Sequence, residues 1–380
     1  MSFSLGAPRQ AACAALLLAA MVSSAAPAAE PVAADTEVAA LIERLGLEES
    51  SQPVREHGGW RKPAKIIVWN RQPELVAALR EAAPGVELLP AGNVAEAVAL
   101  AGDADAVLGF CEPELLAAGP GIRWIQVFSA GVEDCVAIPA LRERGVLLTN
   151  MQRVAGPVMA EHVMAMMLGF ARALHFFIPE RMAGRWTREL PPPGQMLTLE
   201  GKTVLVVGLG GIGVEVARRA HAMGMRVVAI RASGREGPSF VRYVGLPDEL
   251  HRLAADADFV VNTTPLTPAT TGMFDAKFFA AVKPGAFFVN VGRGQSVVQT
   301  DLIDALQTGR IAGAGLDVTD PEPLPADSPL WRMQNVILTP HVSAASDLGN
   351  AARFAIAREN LRRYIAGEKM LSVVDVAKGY

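Results

Sequence analysis

Three polar side chains follow three short apolar runs in the second half of the chain. They are Arg293 in Val289-Asn290-Val291-Gly292-Arg293-Gly294, Glu322 in Leu316-Asp317-Val318-Thr319-Asp320-Pro321-Glu322-Pro323, and His341 in Leu338-Thr339-Pro340-His341. Together they match what interconversion of a 2-oxo acid and a 2-hydroxy acid needs. A guanidinium can fork onto the carboxylate and polarise the neighbouring carbonyl. Reducing that carbonyl creates an alkoxide, which takes a proton from a group titrating near neutrality, a role suited to His. A carboxylate against the imidazole fixes its tautomer and favours its protonated form. Taken singly, each residue has an ordinary reading: a solvated Arg, a loop His, a turn Glu between prolines.

A fourth segment changes those odds. Residues 203–207 form an apolar run leading into Gly208-Leu209-Gly210-Gly211-Ile212-Gly213, with a helical pattern over 214–223. In such a G-x-G-x-x-G loop the first glycine allows a tight turn, the second lets the backbone approach a pyrophosphate, and the third lets helix pack on strand. The phosphates then face the positive end of the helix. Strand before, helix after and a second strand at 226–230 make the signal specific. That second strand ends on Arg231, with Ser233 and Arg235 behind it. An NAD site normally carries an acid here; Arg can instead pair with a 2′-phosphate and Ser can donate to it. The pattern predicts NADP, with NAD possible.

The elements that must position these groups follow a strand-then-helix rhythm. Strands are expected at 66–69, 87–89, 106–109, 124–127 and 146–149, and again at 203–207, 226–230, 259–262, 287–290, 314–316 and 336–338. Helices are expected at 35–47, 74–82, 94–100 and 346–365. Such alternation implies parallel sheets covered on both faces. An apolar stretch at 157–173 is borderline in length for a membrane span, but its place between two α/β blocks favours a buried crossover helix. The fold class read here is α/β, with two doubly wound Rossmann-like domains and the cofactor domain inserted into a discontinuous substrate domain. The expected limits are a signal peptide at 1–29, substrate domain at 30–154 and 342–380, and dinucleotide-binding domain at 155–341. Because C-terminal ends of parallel strands share one edge, Arg293, Glu322 and His341 converge on the ligand crevice.

Composition narrows the alternatives. A chain of 380 residues, 51% hydrophobic and 19% charged, suits two globular domains. A net charge of −4 and the lack of a dense basic run leave nucleic-acid binding without an electrostatic footprint. Three cysteines cannot make a disulfide framework, and none has metal-site spacing, so no metal is expected. Cys111 and Cys135 can pair in an oxidising compartment; the sequence leaves that open. At the N-terminus, Arg9 is the only charged side chain before Glu30, and residues 11–22 are an apolar run followed by Ala26-Pro27-Ala28. That order predicts a secretory signal peptide, with the mature chain starting within 27–30, Ala29 the best single position, and an exported, periplasmic protein with no membrane association after cleavage. If the leader is not functional, the protein stays cytoplasmic.

With Pro265-Leu266-Thr267 and Ser129-Ala130-Gly131-Val132, the three catalytic segments resemble the motif set of the D-isomer-specific 2-hydroxyacid dehydrogenases, glyoxylate/hydroxypyruvate reductases included, over residues 65–366. The resemblance implies that Arg293 binds substrate, Glu322 orients the imidazole and His341 is the acid/base. The backbone of Ala130 and Gly131 would receive the substrate carboxylate, and Thr264, Val291 and Asp317 would lie along the cofactor. It implies a homodimer whose interface occupies the 157–173 helix, and a small 2-oxo acid substrate, glyoxylate or hydroxypyruvate by default. Phe110, Cys111, Phe128 and Trp186 are candidate pocket walls. Formate dehydrogenases are similar but typically carry Gln at the Glu322 position. A non-enzymatic NADP-binding sensor of the same fold is the alternative reading. Arg231 departs from the usual acidic residue, and the leader is unusual for an enzyme with a cytosolic cofactor.

Overall fold

The computed structural model describes residues 33–186, 188, 189, 196–347 and 349–379. The leader and its cleavage site lie outside the described residues. Two parallel sheets organise the chain. The first contains β1 (Lys65–Trp69), β2 (Glu87–Ala91), β3 (Ala106–Leu108), β4 (Trp124–Gln126) and β5 (Leu147–Thr149), in the order β2-β1-β3-β4-β5. The second contains β6 (Thr203–Val207), β7 (Arg226–Ile230), β8 (Tyr243–Gly245), β9 (Phe259–Asn262), β10 (Phe287–Asn290), β11 (Gly313–Leu316) and β12 (Val336–Leu338). Its order is β12-β11-β10-β9-β6-β7-β8. Strands β6, β9, β10 and β11 are buried at every position. Helices on both faces exclude water from such strands, which is why they read as continuous apolar runs rather than alternating ones. In each sheet the order reverses once, between β1 and β3 and between β6 and β9. A reversal opens a crevice at the C-terminal strand ends.

The expected strands of the second sheet match those found, with two differences. Strand β11 begins one residue earlier, at Gly313, and β8 was not expected at all. It is a three-residue edge strand whose Tyr243 is exposed, too short for an apolar pattern to register. The apolar stretch at 157–173 forms helix Gly156–Ala171, and a second helix, Leu174–Met182, follows at 74°. Ala173, at φ 54°, makes the corner. Helix Gly156–Ala171 is buried under the second sheet, where Val163, Met167 and Phe170 pack with Val204, Val216 and Phe287. No single helix among the described residues is long and apolar enough to cross a membrane.

The last helix, Gly349–Ala366, starts three residues later than expected and returns to the first sheet. Ile356, Leu361 and Tyr364 join Ile66, Val68 and Leu79 in one core, and the Tyr364 ring stacks on Trp124 at 4.5 Å. A buried polar network fixes the join. Asn360 Nδ2 donates to Gln126 Oε1 at 2.8 Å, and Asn360 Oδ1 accepts from the Leu371 amide at 2.8 Å. Thr149 Oγ1 donates to the same Gln126 oxygen at 2.8 Å and accepts from Trp124 Nε1 at 2.8 Å. A satisfied buried network specifies one docking geometry, because any other leaves polar atoms unpaired. The second sheet is thus placed, in sequence, between two segments that pack around the first.

Candidate active site

The ends of β10, β11 and β12 deliver the three side chains expected from the sequence. Glu322 Oε2 lies 2.8 Å from His341 Nδ1, while Glu322 Oε1 accepts the Thr319 amide at 3.0 Å. With Nδ1 engaged, Nε2 is the ring nitrogen left for proton exchange. His341 has φ 54°, a left-handed conformation that costs a β-substituted residue about 1–3 kcal/mol. Asp317 holds it there. The His341 amide donates to the Asp317 carbonyl at 2.8 Å, and the Asp317 carboxylate accepts from Thr339 Oγ1, the Val342 amide and the Ser343 amide at 2.6, 2.9 and 3.0 Å. Burial works to raise this carboxyl, but the hydrogen bonds from Ser343 and Thr339 prevail and hold it below the usual Asp range. Asp317, expected along the cofactor, therefore turns its side chain inward and braces the segment that carries His341. His162 of helix Gly156–Ala171 extends this brace, with Nε2 2.9 Å from Thr339 Oγ1.

Arg293 is set by its backbone. Its carbonyl accepts from Asn290 Nδ2 and Ser296 Oγ at 3.0 and 2.6 Å, and Asn262 Nδ2 donates to both Asn290 Oδ1 and Ser296 Oγ. Gly294 abuts the Glu322 segment so closely that a Cβ there would stand 1.8 Å from the Thr319 carbonyl oxygen. The guanidinium reaches the first sheet's loop, where Nε and Nη2 approach Glu133 at 3.1 and 3.4 Å. It also lies against Gly131, where a Cβ would fall 1.8 Å from Nη2. Ser129 Oγ donates to the Gly131 carbonyl at 2.7 Å and Asn150 Nδ2 to the Ala130 carbonyl at 2.8 Å, so the loop expected to receive the carboxylate is pinned beside Arg293. Glu133 was missed in the sequence; its adjacency to Ser129-Ala130-Gly131-Val132 was the one available signal. Asn262, Asn290 and Ser296 were missed because buried polar partners leave no spacing pattern.

At the dinucleotide loop the glycines have separable reasons. Gly208 has φ 97°, and a Cβ on Gly213 would stand 2.0 Å from the Gly208 carbonyl oxygen. The fold alone requires both. At Gly210 a Cβ would meet nothing within 4 Å, so this glycine leaves room above the N-terminus of helix Gly211–Ala222. Gly211 and Ile212 form that helix's first turn, whose free amides suit an anion. Thr264 and Val291 flank the crevice with buried side chains, the Thr264 hydroxyl donating to Asn262 Oδ1 at 2.8 Å. Both backbone amides are bonded to Asn262, Thr264 N–H to its Oδ1 at 3.0 Å and Val291 N–H to its carbonyl at 3.2 Å. Beyond β7, Arg231 Nη1 donates to the Glu236 carbonyl at 2.9 Å, using one of the guanidinium's five donors. Ser233 is exposed beside it. Arg235 is paired with Glu249 at 2.6 Å. The Leu246 amide, Tyr243 and Arg252 hold the Glu249 carboxyl down at about 2, so this nearby acid stays an anion tied to its own cations. The site fits a dinucleotide with a phosphate on its ribose.

A cleft of about 320 Å³ opens beside Gly131, with Trp69, Cys111, Glu112, Phe128 and Glu133 among its walls. Two expected walls, Cys111 and Phe128, are there. Phe110 is not; it is buried in the core of the first sheet. Trp186 is not either, being 91% exposed beyond the end of helix Leu174–Met182. Glu112 was missed; burial pushes its carboxyl up. Cys111 and Cys135, left open by the sequence, form a disulfide.

Residues 164–343 match the family described as D-isomer specific 2-hydroxyacid dehydrogenase, NAD binding domain. Over 254 residues the chain is 36% identical to glyoxylate/hydroxypyruvate reductase B of Salmonella newport, covering 67% of this chain and 78% of that protein. Among solved structures, it is similar to the NADPH-dependent glyoxylate/hydroxypyruvate reductase of Sinorhizobium meliloti in complex with NADP and sulfate, at 30% identity and TM-score 0.73. That likeness covers 83% of this chain and 100% of that one. The D-isomer specific 2-hydroxyacid dehydrogenase of Xanthobacter autotrophicus Py2, in complex with NADPH and MES, is also 30% identical, with TM-score 0.70, covering 84% of this chain and 100% of that one.

Proposed function

We infer the function from one premise: the chain belongs to the D-isomer specific 2-hydroxyacid dehydrogenase family. It is an oxidoreductase acting on the CH–OH group of a small 2-hydroxy acid, or in reverse on the matching 2-oxo acid. We propose glyoxylate or hydroxypyruvate reduction with NADP(H). The observation that carries this reading is the Glu322–His341 pair at 2.8 Å on the same strand-end edge as Arg293.

Arg293 and the Ala130–Gly131 backbone bind the carboxylate, and Arg293 also polarises the carbonyl. The cofactor, when bound, supplies the hydride that adds to the carbonyl carbon. His341 Nε2 gives its proton to the carbonyl oxygen, and Glu322, bonded at Nδ1, holds the ring in the orientation that presents Nε2. Solvent then reprotonates the ring. The Glu133 carboxylate forks onto the same guanidinium, so it orients Arg293 and must yield part of that contact to an incoming carboxylate.

The cofactor domain is taken as residues 155–341. A second copy of the chain covers Leu174, Ile178, Met182 and Trp186, an exposed apolar stripe with four-residue spacing. That stripe adjoins helix Gly156–Ala171, the expected dimer surface, on which Glu161 and Ala165 are also exposed; the mass in solution tests the dimer. The leader directs export, which the mature N-terminus from native cells tests.

The deciding experiment is cofactor oxidation with purified enzyme and glyoxylate, hydroxypyruvate and phenylpyruvate, beside His341→Ala. Loss of the positioned acid lowers turnover by roughly 10²–10⁴-fold while NADPH binding persists. A sensor would bind NADPH and turn nothing over, and undiminished turnover in His341→Ala would show that another group gives the proton.

A further inference from the structure

The cleft beside Gly131 has walls from two separate stretches of the first lobe. One is the turn after β3 that carries Cys111 and Glu112; the other runs from Ser129 into the short helix Glu133–Val136. The Cys111–Cys135 disulfide joins them, its Cα atoms 5.6 Å apart and its ends 24 residues apart in sequence. Cys135 is buried and lies two residues beyond Glu133, the partner of Arg293.

Helix Glu133–Val136 is held by the packing of Val132 and Cys135 in the core of the first sheet and by the disulfide. It is a single turn of four residues, and its N-cap, Val132, offers no side-chain hydrogen bond. One turn cannot sustain itself, because nucleation fixes several residues for one bond. Its position therefore depends on packing and on the covalent tie. Neither sulfur takes part in the proposed chemistry.

We propose that the Cys111–Cys135 disulfide is a positioning element of the substrate site. It holds helix Glu133–Val136 against the turn after β3, and through Glu133 it sets the Arg293 guanidinium. Binding of the 2-oxo acid is then sensitive to the thiol–disulfide state, whereas cofactor binding on the other lobe is not. This rests on the reductase reading above. Formation balances as thiol–disulfide exchange: the two thiols pass two electrons and two protons to an external disulfide, R–S–S–R, leaving the internal bond and two R–SH. An oxidising compartment keeps the bond formed, in keeping with the export proposed from the leader.

The full-length enzyme is equilibrated in glutathione buffers from fully reduced to fully oxidised, with thiol labelling and mass spectrometry reporting the bond. KM and kcat for glyoxylate and hydroxypyruvate, Kd for NADPH, and Tm are then measured. Opening the bond is expected to raise KM roughly tenfold, within the range for an ångström-scale misplacement of a binding group. The fall in kcat is smaller, and Kd for NADPH is unchanged. A Cys111→Ser/Cys135→Ser double variant should match the reduced enzyme and ignore glutathione. Should that variant not fold, Glu133→Gln serves instead: with the link to Arg293 weakened, its KM should respond much less to glutathione.

Equal KM in enzyme shown to be open and closed overturns the proposal, as does a lower Tm with KM unchanged. An undiminished glutathione response in Glu133→Gln removes the stated route. Failure to reduce any 2-oxo acid in either state instead overturns the reductase reading.

Discussion

Gly131→Ala is the most direct probe of how the two lobes build the carboxylate site. The added methyl would stand 1.8 Å from Arg293 Nη2, 2.7 Å from Glu133 Oε2 and 3.0 Å from Arg293 Cζ. Gly131 lies outside the left-handed region, so alanine meets no backbone strain there. Ordinary contact begins near 3.4 Å, so the flexible guanidinium has to retreat by about 1.6 Å. The fold survives, and the group that binds the substrate carboxylate is displaced. An error of about 1 Å in a positioned group costs up to roughly a hundredfold, and one lost charge-assisted contact costs about 1.5–3 kcal/mol. Both lead to a drop in kcat/KM of roughly ten- to hundredfold, mostly in KM. Steady-state kinetics with glyoxylate, NADPH binding by fluorescence and thermal unfolding separate the effects. A variant with unchanged kcat/KM would refute the placement of Arg293 against this loop, and one that loses NADPH binding or several degrees of Tm would show a global disturbance instead.

Two other perturbations test the remaining parts of the site. Arg231→Asp should weaken NADPH use by roughly ten- to hundredfold while affecting NADH far less, since it removes the proposed 2′-phosphate contact; kinetics with both cofactors check this, and equal use of both by the unmodified enzyme would contradict it. Asp317→Asn leaves a buried donor facing one of the Thr339, Val342 or Ser343 donors and should cost about 1–3 kcal/mol of stability. Because the folded carboxyl is held below its ordinary value, its contribution is complete above about pH 4 and is lost as pH falls towards the folded-state value. The stability gap in chemical unfolding should thus be steady near neutrality and narrow in acid, and a gap widening in acid would have the wrong sign.

Much of this protein is legible in its sequence. Strands 203–207, 259–262 and 287–290 are fully buried, so their apolar runs had one reading, and the glycine loop, Arg293, Glu322 and His341 hang from their ends or those of the adjoining strands. Local sequence determines such features because backbone conformation and strand burial act within a few residues. Edge strand β8, with its exposed Tyr243, left no such trace. Nor did the groups that hold the site together. Glu133 meets Arg293 across 160 positions, Asn360 meets Gln126 across 234, and His162 meets Thr339 across 177. Asp317 was legible as a site residue, but not as the brace for His341. Tertiary structure alone decided these, and the Cys111–Cys135 bond with them, because a hydrogen bond or disulfide depends on distance in space, and residues far apart in a chain become neighbours only when both sheets and the returning helix have packed.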